Sequence, residues 1–577
     1  MDKKKVIQIL EAIAVYMEIK GENSFKVSAY RKAAKALESV PETLEEIKKA
    51  ESLDGIGKGT ASVIEELKQT GQSSLHDELA ASFPEGLLPL LKLPGLGGKK
   101  VGKLYQELGV TDLASLKQAC EDEKIRGMAG FGAKSEEKIL AAIDAFQTRP
   151  ERVGIAVAIK AADFLLDKLQ HMEGIIRYEL AGSLRRMEET VKDIDFILST
   201  DDREQVKEQL LQLDGILQVV GAGDTKVSIE ITVDELVIGV DFRLVQDDEF
   251  ASALLHFTGS KDHNVKLRQL AKERGEQISE YGVLNKETDQ TTVFKDEHSF
   301  YAHFDLAYVP PEARLGKDEL VPLTEKIDYP ADSSIQSDLH MHTVWSDGAH
   351  SIKEMAEGAA KRGYSHIAIT DHSQFLRVAN GLTVERLKEQ HQQIKEMNKQ
   401  SNIHIFTGIE MDILPDGTLD YEDDVLQDID FVIASIHSSF SQSEEMIMSR
   451  LKTALFHPHV DLIAHPTGRI IGKRDGYAVN VPQLIKWAAE SGTALELNAS
   501  PERLDLSAEW IRLAHEHQVP IAINTDAHHV DRLAYIRYGL GVARKAGIPT
   551  DSIINTWSLE RLQTYLNTDK SKRMSSR

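Results

Sequence analysis

The run Glu179-Leu180-Ala181-Gly182-Ser183-Leu184-Arg185-Arg186, followed by Asp193-Ile194-Asp195-Phe196-Ile197-Leu198, decides how this chain is read. Apolar stretches on either side of a Gly-Ser turn predict strand, turn, strand. Side chains of a strand alternate between faces, so Asp193 and Asp195 share one face while Ile194 and Phe196 point to the core. Two carboxylates side by side repel unless cations neutralise them. A third comes from a hairpin over 226–245, where Asp241 interrupts an otherwise apolar strand. Three carboxylates so placed can hold two Mg²⁺ ions, one activating an attacking hydroxyl and the other bridging a triphosphate. Asp-x-Asp alone also fits a solvated strand edge; the upstream Gly182-Ser183 turn and the late Asp241 favour the catalytic reading.

The chain has 577 residues, a formal charge of -24, one cysteine and 41% hydrophobic residues, which excludes a disordered tail, a disulfide scaffold and a small single domain. About four domains are expected at this length. Cys120 is alone, so neither an intramolecular disulfide nor a thiolate cluster can form, which points to a reducing compartment and to metals held by His and carboxylate. The start reads as an amphipathic helix rather than a signal peptide, and no apolar run is long enough to span a membrane. A cytoplasmic location and no membrane partner are expected. Lys and Arg nearly balance Asp and Glu over residues 1–150, and the excess acid lies further on, so the first part can meet nucleic acid through local lysines. Of the 21 histidines, 15 follow residue 335, which places metal chemistry there.

One motif recurs three times in the first 150 residues: Leu53-Asp54-Gly55-Ile56-Gly57, Leu93-Pro94-Gly95-Leu96-Gly97 and Met128-Ala129-Gly130-Phe131-Gly132. The glycines permit a tight turn, and the following helix starts with free N–H groups able to hold a phosphate. A single Gly-x-Gly could merely close a helical hairpin; repetition carries the inference. The three resemble helix-hairpin-helix elements, which grip DNA backbones without reading sequence.

The Gly182-Ser183 turn with Asp193, Asp195 and Asp241 resembles the nucleotidyltransferase superfamily, with Ser183 and Arg186 placed to bind nucleotide phosphates. His256-Phe257-Thr258-Gly259-Ser260, followed by Asn264 and Arg268, resembles the sugar-contacting turn and next helix of family X DNA polymerases. That resemblance implies that His256 and Phe257 line the sugar, with Gly259 in the turn, that Asn264 contacts the incoming nucleotide and that Arg268 lies on the template side. The family more usually has Tyr at His256. Lys26 and Tyr30 lie in a stretch resembling the family's 5′-phosphate-binding helix. Val63 stands where lyase members carry a Schiff-base lysine, so no lyase activity is assigned.

After residue 335, seven β-rich runs alternate with helical ones: 335–342, 366–372, 404–413, 431–438, 461–468, 494–500 and 520–528. Seven such units predict a parallel barrel. His340, His342, His372, Glu410, His437, His465, Asp526 and His528 cluster at the ends of six runs, and Asp347 follows the first. Nine such ligands suffice for two or three divalent metals, Mn²⁺ or Zn²⁺. A lone buried histidine is usually a hydrogen-bonded core residue; that suits His350, His366, His391 and His404 and does not explain placement at six strand ends. The motifs closely resemble the PHP (polymerase and histidinol phosphatase) family of phosphoesterases.

Together the motifs resemble bacterial family X DNA polymerases with a C-terminal PHP domain. The resemblance implies an α+β then α/β chain: a helical domain over 1–80, a fingers-like domain over 81–150, a nucleotidyltransferase palm over 151–245, a thumb over 246–318, a linker over 319–334 and a distorted (β/α)7 barrel over 335–577. It implies gap-filling synthesis on gapped or primer-template DNA from deoxynucleoside triphosphates, with Mg²⁺ or Mn²⁺ in the palm, and 3′–5′ exonuclease or abasic-site cleavage in the barrel. The alternatives are a barrel that is only a metal-stabilised structural partner, and a DNA-binding scaffold with relic sites.

Overall fold

The computed structural model describes residues 3–39, 44, 47, 49–53, 55–93, 96–148, 152–233 and 236–573. The chain forms two compact units, Met1–Glu151 and Arg152–Arg577.

The first unit is helical. In Lys3–Lys20, Val6, Leu10, Ile13, Ala14 and Met17 recur at helical spacing and are buried with Ala33, Ala34 and Leu37 of Ser24–Ser39. This core continues to Val63, Ile64 and Leu67 of Lys58–Thr70. A second core joins Leu87, Leu90, Val101, Leu104, Leu116 and Ile143. The lone Cys120 is buried there as an apolar filler, its thiol pushed up to about 11 by burial and by Glu136.

The second unit opens with a five-stranded sheet in the order Arg177–Ala181, Asp193–Ser199, Leu236–Val245, Lys226–Val233, Ile216–Ala222. Asp193–Ser199 runs parallel to Leu236–Val245, and the other pairs are antiparallel. Helices Phe250–Thr258 and Lys261–Glu273 and a three-stranded sheet over 276–292 follow. A seven-stranded parallel sheet comes next, its strands in sequence order from Ser337–Asp338 to Ile521–Asn524. The backbone N–H of His342 donates to Ala527 O at 2.9 Å, which brings the outer strands together into a nearly closed (β/α)7 barrel. Ile554, Trp557, Leu562 and Tyr565 from the C-terminal segment pack with barrel residues Leu339, Ala368, Phe406 and Leu462.

Residues 319–334, read as a linker, are packed. Glu319 accepts hydrogen bonds from the N–H groups of Gly316 and Lys317 and meets His263 Nδ1 at 2.7 Å. Pro330 O accepts from Arg544, and Tyr329 packs against the apolar cluster of the preceding domain. One apolar cluster runs from the first sheet, with Leu184 and Phe196, into the barrel, with Met341 and Leu540. No described helix is long and apolar enough to cross a membrane.

Candidate active sites

The glycine hairpins share one geometry. Gly55 and Gly130 have φ of 91° and 93°, a region that favours glycine, while Gly57 and Gly97 are extended and precede Lys58–Thr70 and Gly98–Leu108. In each hairpin the N–H of the residue between the glycines, Ile56, Leu96 or Phe131, donates to the carbonyl three residues back. Gly57 and Gly97 offer no capping side chain, so the helix N–H groups that follow are open to a phosphate. Gly132 precedes Ala133–Thr148 in the same way, and Gly95 lies outside the described residues. Lys26 is exposed beside Glu22, whereas Tyr30 is largely buried in the helical core, contrary to a surface role for its whole ring. Val63 is buried in the same core.

In the five-stranded sheet, the register sets Asp195 beside Asp241 and Asp193 beside Gly239. Phe196 and Phe242 stack at 5.5 Å on the opposite, buried face. Burial pushes Asp195 up to about 6, and the Asp193 and Asp241 charges add to it. The trio therefore has a standing demand for cations. Two residues absent from the sequence reading serve Asp241: Lys226 Nζ approaches at 2.6 Å and Ser228 Oγ donates at 2.6 Å. Their alternation with Val227 was the available signal. Gly182 has φ of 63°, and a Cβ there would lie 2.0 Å from Asp195 Oδ2, so the turn needs glycine for conformation and for space.

The turn is tied to the next domain. Arg186 Nη1 donates to Thr258 O, and Arg185 donates to Thr258 Oγ1 at 2.9 Å and to both oxygens of Glu297. Buried Arg314 completes the group at 2.7 Å from Glu297. Burial disfavours the Glu297 charge, yet Arg314 and Arg185 hold its carboxyl down at about 2. Arg185 was not singled out from sequence. Asn264 Nδ2 donates to His256 O at 2.8 Å, while His256 Nδ1 and Asn264 Oδ1 are buried without a hydrogen-bond partner among the described residues. Phe257 packs against His256 and under Arg243, Gly259 has φ of 70°, Ser183 is half-buried and Arg268 is exposed.

All nine barrel residues converge. Glu410, on the third barrel strand, is 1% exposed and lies within 3.5 Å of His340, His342, His372, His437 and His465. Asp526 Oδ1 lies 3.2 Å from His342 Nε2, and Asp347 Oδ1 lies 3.4 Å from His528 Nε2. Three groups have ligand atoms close enough to share a metal ion: His342, Asp347, His372 and His528; His340, His342 and Asp526; and His372, Glu410 and His437. His340 Nε2, both His342 nitrogens, His372 Nδ1, His465 Nδ1 and Glu410 Oε2 are buried with no hydrogen-bond partner among the described residues. Buried polar atoms rarely stay unsatisfied, so this donor set fits divalent cations. The mouth opens on the side of Asp347 and His528, the most exposed of the nine.

The sixth strand, for which the sequence offered no ligand, supplies support instead. Glu496 is buried, meets His340 Nδ1 at 2.7 Å and accepts from His465 N at 2.7 Å; Asn498 Nδ2 donates to Asp526 Oδ2 at 3.1 Å. A carboxylate inside the apolar run Ala494–Asn498 was the overlooked signal. Such partners fix ring orientation and ligand basicity. Glu496→Gln is expected to weaken divalent-metal affinity of the barrel roughly 10-fold or more, read by metal titration; unchanged affinity would show that Glu496 is only a packing residue.

Models of known families match four stretches: a helix-hairpin-helix domain over 1–73, a SAM-like helix-hairpin-helix tandem over 87–145, the DNA polymerase beta thumb over 253–315 and the PHP domain over 338–525. The chain is 54% identical over 567 residues to the DNA polymerase/3′–5′ exonuclease PolX of Bacillus subtilis (strain 168), covering 98% of this chain and 99% of that protein. The barrel region is 30% identical to a probable phosphatase of Thermoanaerobacter sp. (strain X514) and 32% identical to one of Syntrophotalea carbinolica, over 41% and 38% of this chain and 96% and 90% of theirs. The chain belongs to the bacterial family X DNA polymerases that carry a C-terminal PHP domain.

Proposed function

We infer that the protein extends DNA 3′ ends in short gaps from its first catalytic centre and hydrolyses 3′-terminal phosphodiesters at its barrel. The observation that supports this best is the pairing of Asp195 with Asp241 beneath a Gly182–Arg186 turn that is tied to Thr258, with an independent imidazole–carboxylate cluster around Glu410 in the same unit. Asp193, Asp195 and Asp241 would hold Mg²⁺ or Mn²⁺, and the nine barrel residues two or three Mn²⁺ or Zn²⁺ ions. Divalent cations supply charge neutralisation at both centres and, in the barrel, a water of lowered pKa.

Ser183 and Arg186 bind the triphosphate, the guanidinium by charge-assisted hydrogen bonds. His256 and Phe257 bound the sugar, Gly259 lets the turn approach it, and Asn264 faces the incoming nucleotide. Arg268 and Lys26 meet DNA phosphates, and Tyr30, buried in the helical core, supports the helix that carries Lys26. The N–H groups behind Gly55 and Gly57, Gly95 and Gly97, and Gly130 and Gly132 hold the backbone without reading bases. In the barrel, the nine side chains orient the 3′-terminal phosphate at the Asp347 side. A reducing, cytoplasmic setting suits the lone buried thiol. Domain limits near residues 80, 150, 245, 318 and 334 go with this reading.

Gap filling is tested by comparing kcat/KM for nucleotide addition on DNA with a one-nucleotide, 5′-phosphorylated gap and on an open primer-template. A preference of about 10-fold or more for the gap is expected from the added backbone contacts; equal values would leave a polymerase without a gap-filling role.

A further inference from the structure

Immediately after the Gly182–Arg186 turn, Met187-Glu188-Glu189 runs onto the barrel. Met187 packs on Gly541 of helix Ile536–Ala546 so closely that a Cβ on that glycine would lie 2.7 Å from Met187 Cγ. Glu189 takes both terminal nitrogens of Arg469, at 3.2 and 2.7 Å, and Arg469 Nε donates to Arg503 O. Helix Ile536–Ala546 also sends Arg544 to Glu312 at 2.8 Å. The turn that carries Arg186 is thus anchored from behind by barrel cations.

Glu188 stands between two cations. Its Oε2 is 2.8 Å from Lys545 Nζ, and its Oε1 is 3.7 Å from Arg186 Nε, too far for a hydrogen bond. That Nε is buried and has no hydrogen-bond partner among the described residues. Lys545 is only 18% exposed, so screening by water is reduced and its pull on the carboxylate is felt. An open cleft lined by Met187, Glu188, Arg469 and Lys545 leaves Glu188 room to move. A carboxylate released from Lys545 would close on Arg186 and compete with an incoming triphosphate for the same guanidinium.

We propose that Lys545 of the barrel is a positioning residue for the polymerase reaction: by holding Glu188 beyond hydrogen-bond distance, it keeps that carboxylate from competing with the triphosphate for Arg186, whose Nη1 is already tied to Thr258 O, so the hydrolytic domain sets nucleotide affinity at the other centre. The proposal rests on Arg186 as a triphosphate ligand. It predicts a KM effect with kcat little changed, because releasing a competing anion alters binding rather than the reacting groups.

The test measures KM and kcat for dNTP on gapped DNA with the full chain. Lys545→Met is expected to raise KM about 10-fold, Lys545→Arg to keep the wild-type value, and Lys545→Met with Glu188→Gln to return it to within about twofold. Release of nucleotides from 3′ ends serves as the folding control, since neither residue touches that centre. Unchanged KM in Lys545→Met, or a raised KM that Glu188→Gln does not restore, overturns the proposal. An Arg186→Ala control with unchanged KM would instead remove the triphosphate reading on which it stands.

Discussion

Asp195→Ala is expected to lower templated nucleotide addition on the order of 10³-fold, the scale of losing a group that stabilises charge at a reacting centre. The register puts Asp195 directly beside Asp241, and burial together with the neighbouring carboxylates resists its ionisation, so a cation there would relieve that cost. On the proposed function alanine removes a cation ligand, and it leaves the packed face of Phe196 and Phe242 untouched, so the sheet keeps its fold. Asp193→Ala should behave alike. Release of nucleotides from 3′ ends should continue at the wild-type rate in both variants. Primer extension by Asp195→Ala at the wild-type rate would show that the sheet is not the polymerase centre.

The converse separation is expected from His340→Ala combined with His342→Ala. Both rings are fully buried and approach Glu410 and Asp526, so their loss removes a face of two of the three candidate metal groups. Divalent metal and 3′-end hydrolysis should both be lost, while nucleotide addition continues. Degradation of 3′ ends by the double variant would place the nuclease elsewhere and make the barrel a structural partner. The same site should lose activity in acid. Burial opposes charge on His437 and His528, but Glu410 beside the first and Asp347 beside the second raise them to about 10 and about 9, so protons occupy these rings when metal is absent. Metal loading must expel those protons, and falling pH works against it. In chelated protein the sign reverses: folded-state values above the ordinary histidine range give stability that is complete below about pH 6.5 and lost as pH rises through 9 and 10. Thermal unfolding with and without chelator across pH 6–10 measures this; a chelated protein equally heat-stable throughout would contradict the charge pairing.

Glycine and aspartate made much of this chain legible. Their demands are local: Gly182 at positive φ against Asp195, Gly55 and Gly130 at positive φ before a helix, and Asp193 and Asp195 on a strand of period two. The histidines were legible because they recur at strand ends, although the first barrel strand proper is only Ser337–Asp338 and His340 and His342 lie beyond it. What stayed hidden depends on packing between distant segments. Residues 319–334 have no period, so nothing local distinguishes a slack connector from one fastened by Glu319 and Pro330. Lys226, Arg185 and Glu496 each look like ordinary strand or turn residues until their partners, 15, 112 and 156 positions away, are brought near.

His342 belongs to two of the barrel's three candidate ion groups and His372 to two, so these groups cannot fill independently. An imidazole nitrogen committed to one cation is withdrawn from the next, so each later ion would find a poorer set of donors. The barrel would therefore fill in a graded order, with the groups that share His342 and His372 competing for those rings.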